Sequence, residues 1–150
     1  MPVPVVLDTN VIVGLLDAKD LWRVPALELR AALKAHHFEP VIFDCVLSEV
    51  VSIVARRLHE KRRVAQLADL LDQLQTQFPS RSIVWLYPDL PKLYDKVVDM
   101  VKQSDGELNF NDALIALSCQ LRGFEFIASF DPDFDHHAPW LRRIAQPDQF

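Results

Sequence analysis

Short unbroken apolar runs alternate along this chain with longer segments whose apolar residues recur every three or four positions. The first kind marks buried strands and the second amphipathic helices. Val3 to Leu7 reads as a strand, followed by a short helix through Val11, Ile12, Leu15 and Leu16 with Thr9 or Asn10 as its cap. Pro25 opens a second helix through Leu27, Leu29, Ala31 and Leu33 toward His36, and Pro40 to Phe43 is the next strand. Asp44 is expected to cap a helix over Cys45 to Arg57, whose face carries Val46, Val50, Ile53 and Val54. A further helix runs from Val64 to Phe78 and stops at Pro79.

The same alternation continues. Ser82 to Leu86 is a strand candidate, and Pro88 or Asp89 starts a helix through Leu93, Val97, Val98 and Val101. After the polar loop Gln103 to Glu107, Asn109 or Asn111 caps a nearly all-apolar helix that ends at Gly123. Phe124 to Phe130 is a strand cut off by the turn signal Asp131-Pro132-Asp133. Trp140 to Ile144 is a weaker final strand. Strands that alternate with helices define an α/β fold with a mostly parallel, five-stranded sheet, helices on both faces and right-handed crossovers.

Composition narrows this. With 150 residues, half of them apolar and a quarter charged, the chain is expected to form one globular domain over 1–150. Twenty-one acids against 16 Lys plus Arg give a net charge of −5, which argues against broad electrostatic binding of nucleic acid but leaves room for a local basic face. Cys45 and Cys119 form no close pair, so neither a disulfide framework nor a cysteine zinc site is expected. Three glycines in no GxGxxG or GxxxxGK pattern remove the dinucleotide and P-loop readings. The N-terminus lacks a basic region, its apolar stretch is interrupted at Asp8, and no run of about 18 apolar residues follows. No signal peptide, no membrane contact and a cytoplasmic location are therefore the expectations.

Four acids stand at informative places. Asp8 and Asp131 each follow an apolar strand, while Glu49 and Asp112 lie near helix starts and face the apolar side. In a parallel sheet, strand C-termini and the starts of the following helices gather at one edge, so the four can converge there. Each alone has a plain structural reading as a helix cap or turn residue. Gathered carboxylates repel and lose hydration, which raises their pKa values or calls for a cation. An all-carboxylate set suits a hard ion such as Mg²⁺ or Mn²⁺, which can polarise a phosphoryl oxygen and lower the pKa of bound water.

Four blocks of the sequence carry a resemblance. Val5-Val6-Leu7-Asp8-Thr9-Asn10-Val11, Leu47-Ser48-Glu49-Val50, Asn111-Asp112-Ala113-Leu114-Ile115-Ala116 and Ile127-Ala128-Ser129-Phe130-Asp131-Pro132-Asp133-Phe134 resemble, in order, the blocks of PIN-domain ribonucleases, and in particular the small bacterial VapC-like toxins. The resemblance implies a three-layer α/β/α sandwich and a metal-dependent endoribonuclease that leaves the 3′ oxygen as the departing group. It places the family acids on Asp8, Glu49, Asp112 and Asp131, with Mg²⁺ or Mn²⁺ held by Asp8, Asp112 and Asp131 and with Glu49 as a ligand or a water-orienting group. Thr9 either supports a metal-bound water or caps the helix, and Asn10 holds the turn. Ser129 stands where the last block often has Thr, and Asp133 either assists the acids or caps its turn. A cognate antitoxin and a homodimer are further implications.

Arg56, Arg57, Lys61, Arg62 and Arg63 form the best local basic patch for an RNA backbone, with a solvated helix surface as the plain alternative. His36-His37 and His136-His137 lack a ligand pattern. Trp22, Trp85 and Trp140 read as packing residues rather than base-stacking platforms; Trp22, in a helix-joining loop, has room to be exposed. Two other functions are weighed. One is an aspartate-dependent phosphatase, disfavoured because Asp8-Thr9-Asn10 has no second acid two positions on. The other is a catalytically idle PIN-like scaffold that binds RNA or a regulator, against which the four intact acids speak.

Overall fold

The central strand is the one whose residues are apolar on both faces. Val5, Val6 and Leu7 are buried within β1 (Val3–Leu7), as expected of a strand covered by helices above and below. The computed structural model describes all 150 residues. After β1 come α1 (Thr9–Leu16), α2 (Arg23–Ala35), β2 (Phe38–Phe43), α3 (Asp44–Glu60), α4 (Leu67–Gln77) and β3 (Ile83–Val84). Then follow α5 (Leu90–Gln103), α6 (Phe110–Arg122), β4 (Phe126–Ala128), α7 (Asp133–His137) and β5 (Arg142–Ile144).

The five strands lie in the order β3-β2-β1-β4-β5 and every pairing is parallel. Val6 pairs with Val41 on one side and with Ile127 on the other. The chain first builds outward from β1 through β2 to β3, then crosses back to β4 on the other side. Right-handed crossovers in opposite directions put α1 to α4 on one face and α5 to α7 on the other, a three-layer α/β/α sandwich. One apolar core of 34 buried residues fills it. The direction of building reverses between β1 and β4, so a crevice opens at their C-terminal ends.

Several boundaries differ from the sequence expectation, each for a local reason. Neither Thr9 nor Asn10 caps α1: Asp8 does, with extended backbone and a carboxylate that accepts the Thr9 N–H at 2.8 Å. α2 starts at Arg23, two residues ahead of Pro25, which its first turn accommodates because N–H groups there need no helical partner. β2 starts at Phe38 and includes Pro40; β3 reaches only Ile42 and Phe43, so Pro40 sits where β2 has a single neighbour. β3 shrinks to two residues because the Asp44 carboxylate takes the N–H groups of Leu86 and Tyr87, both at 2.8 Å. Asp44 itself is the first residue of α3 rather than its cap, and is buried.

The expected helix over Val64 to Phe78 enters through a 3₁₀ turn at Val64–Gln66. Asn109, not Asn111, caps α6, in a reciprocal capping box with Asp112. Gly123 ends that helix at φ 72°, a left-handed backbone that favours glycine. β4 and β5 are three residues each, shorter than expected, and α7 begins at the last residue of the expected Asp131-Pro132-Asp133 turn and runs through residues to which the sequence assigns no element. Cys45 and Cys119 are free and buried. Burial pushes the Cys45 thiol up to about 12 and the Cys119 thiol up as well, so both are inert packing residues. No helix is long and apolar enough to cross a membrane.

Candidate active site

Asp8 leaves β1 at the crevice, and the fold builds the site around it. Its carboxylate is only 5 % exposed and is held at both oxygens: Thr9 N–H donates to Oδ1, and the Ser129 hydroxyl donates to Oδ2 at 2.6 Å. Ser129, fully buried just past β4, also accepts the Asp131 N–H at 3.0 Å. One hydroxyl thus fixes two acids that arrive from neighbouring strands. Asp131 Oδ1 accepts the Asp133 N–H at 2.9 Å, and Asn10 Oδ1 accepts the Phe130 N–H at 3.2 Å. These bonds fasten the β4–α7 loop to the start of α1.

The helices supply the other acids. Asp112 sits at the third position of α6, where Asn109 Oδ1 accepts its N–H at 2.8 Å. Glu49 comes from the second turn of α3 and receives the Asn111 side-chain amide at 3.4 Å. Asp8, Glu49, Asp112 and Asp131 all line one open cavity of about 290 Å³, together with Thr9, Asn10, Asn109, Asp20, Trp22, Arg57 and two apolar side chains, Val13 and Ile53.

Crowding marks the electrostatics. Burial pushes Asp8 up to about 6; the Ser129 and Thr9 hydrogen bonds oppose the rise, and the charges of Glu49 and Asp131 add to it. Burial, then the Asp8 charge, pushes Asp112 up to about 7 against the Asn109 hydrogen bond. Asp133, outside the cavity lining, is shifted upward by its burial and by Asp131. Such shifts are expected where carboxylates share a pocket without a compensating cation.

The donor set fits a hard divalent ion: oxygen atoms only, an excess of negative charge, and the buried Thr9 hydroxyl without any hydrogen-bond partner beside it. The acids surround the cavity rather than meeting at a point, and no three His, Cys, Asp or Glu side chains are already drawn together into a metal-holding cluster.

The basic patch divides in two. Arg57 binds Asp20 and, at 3.4 Å, Asp17; Arg63 grips Asp17 at 2.6 and 3.2 Å. The Arg63 hydrogen bonds hold the Asp17 carboxyl down at about 2, against its burial. Arg56, Lys61 and Arg62 are exposed and form no ion pair. Asp17, Asp20, Asp44, Asn109 and Trp22 were not singled out as site or clasp residues from sequence. The only signal for the first two was an acid pair in the loop after α1, and its cationic partners lie 37 to 46 residues away. His137 pairs with Glu107 at 2.7 Å, and Arg143 pairs with Asp135 at 2.8 Å while donating to the Ser129 carbonyl.

Comparison with known proteins agrees with this architecture. The PIN-domain profile matches residues 5–138, and the chain belongs to the PIN-domain family. Among solved structures it is similar to the Mycobacterium tuberculosis toxin VapC20, described as cleaving the sarcin–ricin loop, at TM-score 0.65 and 19% identity over 88% of this chain and 93% of that one. It is also similar to VapBC2 of Rickettsia felis, solved bound to a DNA fragment from its promoter, at TM-score 0.63 and 18% identity over 94% of this chain and 97% of that one. No curated protein sequence matches significantly.

Proposed function

We propose that the chain is an endoribonuclease that hydrolyses RNA phosphodiester bonds with Mg²⁺ or Mn²⁺ at the acidic cavity, acting as one domain over 1–150. The observation that carries this reading is the joint placement of Asp8 and Asp112 in one cavity, both with raised pKa values, beside Glu49 and Asp131. An ion bound there would supply charge compensation, a Lewis acid for the phosphoryl group and a water of lowered pKa. Asp8, Asp112 and Asp131 would hold it, and Glu49 would join them as a ligand or orient the attacking water. Ser129 keeps Asp8 and Asp131 in register, Asn10 holds the Phe130 backbone, and Asp133 closes the turn that presents Asp131. Thr9 adds an oxygen next to Asp8.

Arg56, Lys61 and Arg62 are the free cations for guiding an RNA backbone, and Arg57 lies at the cavity wall where it can meet a phosphate. In this reading the protein is the toxin of a toxin–antitoxin pair, a role supported by the fold of its structural relatives and by an acidic cavity that a basic residue of an antitoxin would complement. A homodimer belongs to the same reading.

The test compares wild type with Asp8→Asn and Asp112→Asn on single-stranded and hairpin RNAs, a sarcin–ricin-type hairpin among them, in Mg²⁺, Mn²⁺ or EDTA. Internal cleavage by wild type only with metal, falling to background in folded variants, is the expected result. Cleavage unchanged by both substitutions would remove the assigned site.

A further inference from the structure

Trp22 is 39 % exposed, yet its ring is stacked on Phe130 with centroids 4.5 Å apart and planes at 12°. It forms a wall shared by two cavities. One is the acidic cavity; the other, of about 330 Å³, is lined by Trp22, Phe130, Pro25, Glu28, Arg143 and Gln146, among others. This second cavity has an aromatic and proline wall with the carboxylate of exposed Glu28 and the amide of exposed Gln146 at its side. A planar ligand with hydrogen-bonding edges fits that chemistry.

The backbone that carries this ring is anchored. The Trp22 backbone N–H donates to Asp20 Oδ2 at 2.9 Å, and Asp20 is tied to Arg57 on α3. The Trp22 carbonyl accepts the Ala26 N–H at 2.8 Å. Beneath it, Gly14 lets α1 approach closely: a Cβ there would stand 2.8 Å from Ala26 Cβ and 3.0 Å from the Trp22 oxygen. On its other side Phe130 is fixed through Asn10, a residue of the acidic cavity. An exposed ring already stacked on Phe130, on a backbone anchored at its N–H and its carbonyl, has less side-chain entropy to lose when a ligand stacks against it.

We propose that Trp22, backed by Phe130, and the adjoining cavity form a nucleobase subsite that seats an unstacked base of the RNA next to the phosphate at the acidic cavity. This rests on the RNA reading of that cavity. Bases stack on such rings whatever their identity, since every base offers a π-face, and Glu28 and Gln146 stand where they can meet a base edge. Arg143 is already committed to Asp135 and the Ser129 carbonyl, so it shapes the cavity floor instead of reading the base.

The test follows the three indole N–H signals of the full chain by NMR, in EDTA, during titration with the four ribonucleoside 5′-monophosphates. Trp22→Phe and Trp85→Phe assign the signals, and ribose 5-phosphate is the control. A saturable shift of the Trp22 signal with at least one nucleotide and none with ribose 5-phosphate is expected, with Trp22→Ala weakening nucleotide binding about tenfold or more, as loss of a base stack would. No Trp22 shift with any nucleotide, an equal shift with ribose 5-phosphate, or unchanged affinity in a folded Trp22→Ala overturns the subsite. Because no cleavage is read, base binding without metal-dependent cleavage would sink the nuclease reading alone. Cleavage without a Trp22 shift would sink the subsite alone.

Discussion

The Ser129 hydroxyl and the Asp8 carboxylate meet at 2.6 Å across 121 residues of sequence, joining the ends of the two parallel strands between which the order of building reverses. Both are buried, so neither can exchange its partner for water. The bond holds down an Asp8 pKa that burial would otherwise drive higher. Ser129→Ala is expected to cost about 1–3 kcal/mol in chemical denaturation and to move the Asp8 titration upward in carbon-detected NMR. Ser129→Thr, which keeps the hydroxyl, should restore the Asp8 titration.

The acids of the cavity set a pH dependence with a definite sign. Asp8 and Asp112 have folded pKa values of about 6 and about 7, above their ordinary value of 3.8. Groups raised in this way favour the folded state at low pH, and that contribution is lost as pH rises through the folded values. The metal-free protein should therefore lose stability between about pH 4 and 7, by a few kcal/mol if the two titrate as a coupled pair. Asp112→Asn should flatten the curve and be more stable than wild type at pH 8, as read by urea unfolding at each pH.

Addition of Mg²⁺ or Mn²⁺ should reverse that loss. An ion bound only by the folded state raises the melting temperature with its concentration, by an amount that tracks its affinity. The expected rise is larger at pH 8 than at pH 5, where Asp8 and Asp112 carry protons, and is absent in Asp8→Asn. Differential scanning calorimetry with an EDTA control checks this without any substrate.

Asp17 behaves in the opposite sense. Its carboxyl is held at about 2 by Arg63, so its contribution is present above the ordinary value and lost as pH falls through 2. Asp17→Ala leaves Arg57 with Asp20 alone and Arg63 with no carboxylate partner. The expected cost is about 2–3 kcal/mol at pH 7, below that of a fully buried pair because both guanidinium groups keep some contact with water. Equilibrium unfolding measures it, and a change under about 0.5 kcal/mol would show the clasp to be ornamental.

Gly14→Ala tests the close approach of α1 and α2 on which Trp22 rests. The added methyl meets Ala26 Cβ at 2.8 Å, so one helix must shift. A loss of about 1–3 kcal/mol is expected, with a perturbed Trp22 indole signal.

What the sequence disclosed depended on whether its signal was local. β1 was legible to the residue because Val5, Val6 and Leu7 form an apolar run bounded by Asp8, and a strand buried on both faces leaves that trace. The parallel α/β order followed from alternation alone. The meeting of Asp8, Glu49, Asp112 and Asp131 around one cavity was legible from their positions after strands and near helix starts, which parallel topology brings to one edge. Long-range polar bonds left no such trace. Asp44 looked like a cap, but its second oxygen ends β3 through Leu86 and Tyr87. Arg57 and Arg63 looked alike beside Arg56 and Arg62 until the fold brought Asp17 and Asp20 to them. α7, only five residues long, has too few turns to show a helical period.

The most direct measurement of the central claim is the chemistry of the new RNA ends. Wild-type protein and Asp112→Asn are incubated with RNA in Mn²⁺ and in EDTA, and the products are resolved by mass spectrometry. Water attacking phosphorus with the 3′ oxygen departing predicts 5′-phosphate and 3′-hydroxyl ends, formed only by wild type and only with metal. Ends bearing a 2′,3′-cyclic phosphate, or the same products in EDTA, would contradict hydrolysis at this carboxylate cavity.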